Sequence, residues 1–180
     1  WDIAAGLNID ENYKLHEIVF PIPVFNEQDL QNQEKTLTNL LWVQPAIGAM
    51  SLSHLGLLNK IGLKPNCVAG HSYGEIPALY AAGVIKSQED VLHISRTRGE
   101  LMHKVSASGK GVMTAVFTSV DELRENLKKW NLNISIANVN SPTQIVVSGK
   151  TESMIEAEEK FNEFSLKYKR IPVPAAYHSE

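Results

Sequence analysis

A Gly-x-Ser-x-Gly pentapeptide at residues 70–74 is the segment of this sequence with the clearest capacity for chemistry. Its central serine, Ser72, becomes a nucleophile if a sharp strand-to-helix turn holds it exposed, near a base and near backbone N–H groups. The N–H of Tyr73, the next residue, is the candidate donor to an oxyanion. The sequence therefore predicts that Ser72 is a catalytic nucleophile.

The residues around the pentapeptide predict the elements that such a turn needs. Pro65-Asn66 indicates a turn, and the apolar residues 67–69 predict the end of a buried strand, with Cys67 as a small buried residue. Residues 75–82 predict a helix that Gly83 ends. The strand, turn and helix in this order are the context in which the motif is functional.

Arg98 is the second residue with a clear chemical capacity. In the helix predicted over 88–104 it shares a stripe with apolar residues at helical spacing, namely Val91, Ile94, Leu101 and Met102. A guanidinium on a core-facing stripe needs an anionic partner, because it stays charged. That partner is either a carboxylate of the protein, such as Glu75, or the carboxylate of a substrate, and the spacing leaves both open.

Six histidines are available as the base that serine needs. His71 flanks the nucleophile, so its side chain is expected to point away from the position of the base. His178 follows the last predicted strand, where the chain is expected to return to the domain that carries Ser72. His178 is therefore the histidine that we single out.

Composition narrows the class of protein. The 180 residues carry a net charge of −3, which argues against nucleic acid as the main partner. A single cysteine excludes an internal disulfide framework and favours a reducing compartment, so a cytoplasmic location is expected. We also expect neither a signal peptide nor a membrane-spanning segment. The chain begins without Met, which indicates part of a longer protein.

The predicted secondary structure changes in character near residue 108. Residues 1–108 are rich in predicted helices, one of which is expected to begin at Pro45, a residue suited to a first helical turn, and to end near Gly62. A flexible join is predicted at 106–111. Residues 109–174 predict the order β-α-β-β-α-β of a ferredoxin-like subdomain, with strands at 112–117, 134–139, 144–148 and 168–173. Residues 175–180 are expected to return to the larger α/β subdomain.

Taken together, these residues resemble the acyltransferase family that loads malonyl groups onto acyl carrier proteins, both as free transacylases and as domains of polyketide and polyunsaturated fatty acid synthases. The matching segments are Val-Gln-Pro-Ala at 43–46, Gly-His-Ser-Tyr-Gly-Glu at 70–75, Ala-Ala-Gly at 81–83 with Arg98-Gly99, Asn-Val-Asn-Ser-Pro at 138–142 with Val-Ser-Gly at 147–149, and Ala-Ala-Tyr-His-Ser at 175–179. The resemblance implies a hydrolase-like three-layer α/β domain with an inserted ferredoxin-like subdomain, of which this chain is a part lacking both ends.

The resemblance also implies roles for individual residues. Ser72 and His178 become nucleophile and base, and the N–H of Tyr73 becomes an oxyanion donor. The second oxyanion donor of the family and the group that orients its histidine are expected outside this chain. The residues implied in substrate binding are Arg98, Gln44, Asn140 and Tyr177.

The implied activity is transfer of a malonyl group from malonyl-CoA to the phosphopantetheine thiol of an acyl carrier protein, without a tightly bound cofactor or metal. Neighbouring synthase domains such as a ketosynthase are implied as further partners. One alternative is a serine acyl hydrolase. A hydrolase of the α/β type shares the serine turn but is expected to have an acidic orienting residue between nucleophile and histidine and no buried arginine, whereas a proofreading, thioesterase-like hydrolase of the same family stays open. The other is a docking domain without activity, against which the Ser72 and His178 pair argues.

Overall fold

The computed structural model describes residues 1–107, 109, 111–173 and 175–179, which form two compact units, Trp1–His103 and Lys104–Glu180. The boundary between the two units falls within a helix, five residues before the change of pattern predicted near residue 108. The last residues, 175–179, belong to the second unit, so their return to the first stays a prediction. The predicted join at 106–111 lies partly outside the described residues.

The described part of the first unit is helical. Its elements are α1 (Asp2–Ala5), α2 (Leu15–Val19), α3 (Glu27–Leu37), α4 (Leu40–Lys60), a 3₁₀ turn (Ser72–Gly74), α5 (Glu75–Ala81) and most of α6 (Gln88–Ser106). Nine buried residues from α1, α2, α4, α6 and the α1–α2 connection form its core, namely Ala4, Leu7, Leu15, Trp42, Ala46, Ala49, Leu52, Val91 and Leu92. The core joins α4 and α6, the two helices that carry Gln44 and Arg98.

The strand predicted at 67–69 is absent from the described residues, and Cys67 is exposed. A strand is stable when its N–H and C=O groups pair with a neighbouring strand, and the described part of the first unit contains no such neighbour. The sequence-based prediction of a buried strand is therefore wrong here. The hydrolase-like three-layer arrangement that the strand belongs to stays a prediction.

Helix α4 begins at Leu40 and not at Pro45, so the predicted start is wrong. Asn39 caps the helix by accepting the Leu41 N–H at 3.0 Å, and this cap fixes the start five residues earlier. Pro45 then lies inside the helix, where it lacks the N–H that would bond to the Leu41 carbonyl. Burial of Pro45 and its neighbours in the core compensates for the missing bond.

Helix α4 is also the one described helix long and apolar enough to cross a membrane by length and composition alone. Its buried residues, however, pack into the core of the first unit. A helix that is apolar on most of its surface is typical of a core helix as well as of a membrane span.

The second unit contains β1 (Gly111–Val116), α7 (Val120–Trp130), β2 (Ser135–Ser141), β3 (Gln144–Lys150), α8 (Thr151–Glu163) and β4 (Tyr168–Ile171). The four strands form an antiparallel sheet in the order β2-β3-β1-β4. Helices α7 and α8 bury one face of it through a core that includes Val116, Leu123, Ile145, Val147 and Phe161. All four predicted strands are confirmed to within three residues at each end.

Candidate active site

The pentapeptide forms a tight turn. Ser72 has φ 51°, in the left-handed region that non-glycine residues rarely adopt, and it starts the 3₁₀ turn that leads into α5. The first N–H groups of a helix have no carbonyl partner within the helix, and that of Tyr73 lies at this start. Of the predicted strand-turn-helix motif, the structure therefore contains the turn and the helix, with the half-buried Ser72 at the turn.

Gly70 is required for this turn by close contact between backbone segments. A Cβ atom on Gly70 would lie 2.2 Å from the carbonyl carbon and oxygen of Gly74 and 2.3 Å from the nitrogen of Glu75. Backbone atoms cannot move away from such a clash without opening the turn. A Cβ on Gly74, in contrast, would meet nothing within 4 Å among the described residues.

The two glycines therefore give a matched pair of variants. We expect Gly70→Ala to lower the reactivity of the predicted nucleophile Ser72 by about a hundredfold, because a displacement of about 1 Å at a reacting group has an effect of this size. Gly74→Ala should cause a much smaller loss. The measurement is the rate of covalent modification of Ser72, with thermal unfolding of both variants as the control. Equal losses in the two variants would contradict the assignment of the turn.

Strain at His178 parallels that at Ser72. Four non-glycine residues among those described have positive φ, and they are Ser72, Asn131, Ser165 and His178 (φ 58°). Asn131 and Ser165 follow helices, where this conformation is common. The other two are the predicted catalytic residues, and local backbone strain of this kind is concentrated at functional sites.

The segment that carries His178 packs closely within the second unit. The Ser179 hydroxyl donates to the Ala176 carbonyl at 2.7 Å, and the hydroxyls of Tyr177 and Ser106 lie 2.6 Å apart. A Cβ on Gly111 would lie 2.3 Å from the Ala176 nitrogen, so glycine allows this segment to approach the start of β1. Asn140, the other predicted substrate-binding residue of the second unit, lies exposed in β2.

Arg98 lies half-buried on α6 beside the nucleophile turn. One of its N–H groups donates to Oε1 of the buried Gln44 at 2.7 Å, and its guanidinium carbon lies 6.0 Å from the centre of the Tyr73 ring. Among the described residues no carboxylate lies within 4.0 Å of the guanidinium. The proposed internal pair with Glu75 is therefore wrong, and Arg98 has N–H donors that Gln44 does not use.

The predicted stripe around Arg98 is partly wrong. Ile94 and Leu101 are 42% and 57% exposed, and the buried residues of α6 are Val91, Leu92, Ser95 and Gly99. A Cβ on Gly99 would lie 2.5 Å from the Leu40 carbonyl oxygen, so α6 contacts α4 through small residues. Apolar periodicity cannot detect a contact face made of glycine and serine.

Ser95 and Gly48 are residues of this site that the sequence analysis missed. The hydroxyls of Tyr73 and Ser95 lie 2.5 Å apart, and a Cβ on Gly48 would lie 2.4 Å from the Tyr73 oxygen. A signal was available, because a buried tyrosine needs a partner for its hydroxyl and small polar residues on neighbouring helices can supply one. No group of residues that could hold a metal ion occurs among those described.

Comparison with known proteins identifies the family. The model of the acyl transferase domain matches residues 12–180. The chain belongs to the acyl transferase domain family. It is 35% identical over 154 residues to the polyketide biosynthesis malonyl CoA-acyl carrier protein transacylase PksC of Bacillus subtilis, covering 83% of this chain and 52% of that protein. It is 34% identical over 137 residues to erythronolide synthase EryA3 of Saccharopolyspora erythraea, covering 76% and 4%.

Solved structures of the family match this chain in fold. The acyltransferase domain from module 8 of the salinomycin polyketide synthase superposes with a TM-score of 0.80 at 27% identity, covering 99% of this chain and 40% of that one. The structure of MCAT from Streptococcus pneumoniae gives a TM-score of 0.76 at 30% identity, covering 91% of this chain and 51% of that one. The acyl transferase chain described here thus spans about half the length, or less, of these relatives.

Proposed function

We propose that this acyl transferase transfers a malonyl group from malonyl-CoA to an acyl carrier protein through an ester on Ser72. Family membership supports acyl transfer, and the malonyl transacylase names among the relatives support the acyl group. The observation that carries the proposal is the strained Ser72 at a helix start, with a half-buried Arg98 nearby whose guanidinium has no protein carboxylate in reach among the described residues.

In the first half-reaction, the Ser72 oxygen attacks the thioester carbon of malonyl-CoA while His178 accepts the hydroxyl proton. The N–H of Tyr73 stabilises the negative oxygen that forms. The carbon–sulfur bond then breaks, and His178 returns the proton to the departing CoA sulfur. In the second half-reaction, the phosphopantetheine thiol attacks the ester and gives its proton to His178, which passes it to the Ser72 oxygen.

Arg98 is proposed to bind the free carboxylate of the malonyl group through two N–H donors. Gln44 accepts a hydrogen bond from the guanidinium and donates another to the Met102 sulfur at 2.8 Å, so it orients Arg98. Gln44 therefore acts on the substrate through Arg98. Asn140 is proposed as a further substrate-binding residue from its place in the family's Asn-x-Asn-x-Pro segment.

We also propose that the second unit is a ferredoxin-like subdomain inserted into a larger hydrolase-like domain. The proposed cellular location of the protein is the cytoplasm. The strand order β2-β3-β1-β4, with a helix after β1 and another after β3, supports the ferredoxin-like part. Neighbouring synthase domains are proposed as partners, because the matching segment makes up only 4% of the length of erythronolide synthase EryA3.

A serine hydrolase would use the same nucleophile, so the fate of the acyl group tests the proposal. The full-length protein is incubated with labelled malonyl-CoA, and free malonate is measured before and after addition of a phosphopantetheine-bearing carrier protein. We expect slow malonate release and rapid appearance of label on the carrier protein. Rapid malonate release that the carrier protein does not change would show a hydrolase.

Tyr177 is proposed to narrow the pocket next to the acyl α-carbon and thereby favour malonyl over methylmalonyl. Its bond to Ser106 holds the ring to the end of α6. We expect malonyl to be preferred by about ten- to a hundredfold, because exclusion of one methyl group contributes about 1–3 kcal/mol. The preference should fall in Tyr177→Ser and persist in Tyr177→Phe, which keeps the ring and loses the bond.

Competition between the two CoA esters measures this preference directly. If Tyr177→Ser leaves the malonyl preference unchanged, Tyr177 only packs within the second unit. If Tyr177→Phe relaxes the preference as much as Tyr177→Ser, the bond to Ser106 and not the ring determines the pocket.

A further inference from the structure

A buried pair of hydroxyl groups, on Tyr73 and Ser95, lies beside Arg98. Tyr73 is 8% exposed and Ser95 is fully buried. The Ser95 hydroxyl donates to the Val91 carbonyl at 2.5 Å, and this bond uses its single hydrogen. The Tyr73 hydroxyl must therefore be the donor in the 2.5 Å contact with Ser95. Together they form a directed chain from the phenol through Ser95 to the backbone of α6.

The phenol remains protonated in this position, as a donor must be. Burial raises the pKa of Tyr73 above its ordinary value of 10.0, and the charge of Arg98 lowers it by less.

Helix α4 holds the phenol from another direction. A Cβ on Gly48 would lie 2.4 Å from the Tyr73 oxygen and 3.0 Å from the Ser95 oxygen. The glycine thus leaves room for the pair of hydroxyls, and its backbone limits their movement. The position of the Tyr73 ring follows from these contacts with α4 and α6.

The ring in turn lies against Arg98, with 6.0 Å between its centre and the guanidinium carbon. Among the described residues, the Tyr73 ring and the Gln44 amide oxygen contact the guanidinium and orient it. We propose that Ser95 is a positioning residue that holds the Tyr73 ring against Arg98 and so determines how strongly the enzyme discriminates between acyl groups with and without a free carboxylate. This inference rests on the proposed function, in which Arg98 binds that carboxylate.

The test is Ser95→Ala in the full-length protein, with kcat and KM measured for loading from malonyl-CoA and from acetyl-CoA. We expect the ratio of malonyl to acetyl kcat/KM to fall about tenfold, an effect typical of a weakened hydrogen bond to a charged group. Most of the change should be a higher KM for malonyl-CoA. A parallel fall in both substrates, or an unchanged ratio, would overturn the proposal.

Two further variants keep the test decisive if Ser95→Ala is poorly folded. Gly48→Ala removes no hydroxyl group but displaces the Tyr73 phenol, so it should also lower the ratio of malonyl to acetyl kcat/KM. Gly56→Ala in the same helix, where a Cβ meets nothing within 4 Å, is its matched control and should leave the ratio unchanged. Equal ratios in Gly48→Ala and Gly56→Ala would reject the proposal.

A double variant separates positioning from stability. Tyr73→Phe with Ser95→Ala removes both hydroxyls, so no buried donor lacks an acceptor, and its unfolding temperature should exceed that of Ser95→Ala alone. Its malonyl to acetyl ratio should nevertheless stay low, and recovery of the ratio together with stability would overturn the positioning role. Failure of the wild type to load malonyl would instead reject the proposed function itself.

Discussion

Replacement of Ser72 by alanine is expected to lower acyl-enzyme formation by at least about a thousandfold, because the covalent route loses its proposed nucleophile. The backbone of the turn should persist, since alanine lacks only the hydroxyl. The measurement is the amount of label bound to protein after incubation with labelled malonyl-CoA. Unfolding temperatures of the variant and the wild type should agree to within a few degrees.

Ser53→Ala is a suitable control for this variant. Its hydroxyl donates to the Ala49 carbonyl within α4, and Ser53 has no proposed part in acyl transfer. Loss of that bond should leave acyl loading unchanged. Persistence of the label in Ser72→Ala, or its loss in Ser53→Ala as well, would contradict the assignment of the nucleophile.

The second large effect is expected at Arg98. Loss of one partner of a desolvated charged pair has a cost of about 3–5 kcal/mol, so Arg98→Ala should lower malonyl loading by roughly a hundredfold or more. Acetyl loading should fall much less, because acetyl has no carboxylate to bind. The change in the malonyl to acetyl ratio therefore measures the contribution of the guanidinium to carboxylate recognition.

Arg96 provides a matched control two residues away on the same helix. It forms an i,i+4 ion pair with Glu100 at 2.7 Å on the partly exposed side of α6, and such pairs contribute about 0.3–0.5 kcal/mol. Arg96→Ala should leave the malonyl to acetyl ratio unchanged. If Arg98→Ala lowers both substrates equally, or lowers the unfolding temperature far more than Arg96→Ala does, Arg98 is a structural residue.

The second unit could be predicted from the sequence because its signals are local. Ser119 accepts the Glu122 N–H and begins α7, and Asn131 in the left-handed conformation ends it. The turn at residues 142–143 separates β2 from β3, and Ser141 pairs with Gln144 across it. Each of these features depends on a few adjacent residues, which the sequence displays directly.

The first unit was harder to predict, because its decisive contacts are not local. The Asn39 cap overrides the preference of Pro45 for a first turn. The contact face of α6 uses Ser95 and Gly99, which carry no apolar signal. A strand at 67–69 depends on partners that the described residues do not contain.

The candidate site shows the same difference between local signals, which the sequence displays, and contacts between distant residues. Ser72, Arg98 and His178 could be predicted as site residues from the serine motif, from helical spacing and from a position after the last predicted strand, and the structure adds the strained backbone at Ser72 and His178. The groups that orient Arg98 could not be identified as such, since Gln44 is 54 residues from Arg98 in sequence. Residues that act through a neighbour are found only when the packing of the helices is known.

Site mapping of the acyl group tests the central claim most directly. The full-length protein is incubated with malonyl-CoA, digested and analysed by mass spectrometry, with and without a subsequent addition of phosphopantetheine-bearing carrier protein. We predict a malonyl ester on Ser72 that disappears when the carrier protein is added, with the malonyl group recovered on the phosphopantetheine thiol. A malonyl group on another residue, or an ester on Ser72 that the carrier protein does not remove, would contradict the account.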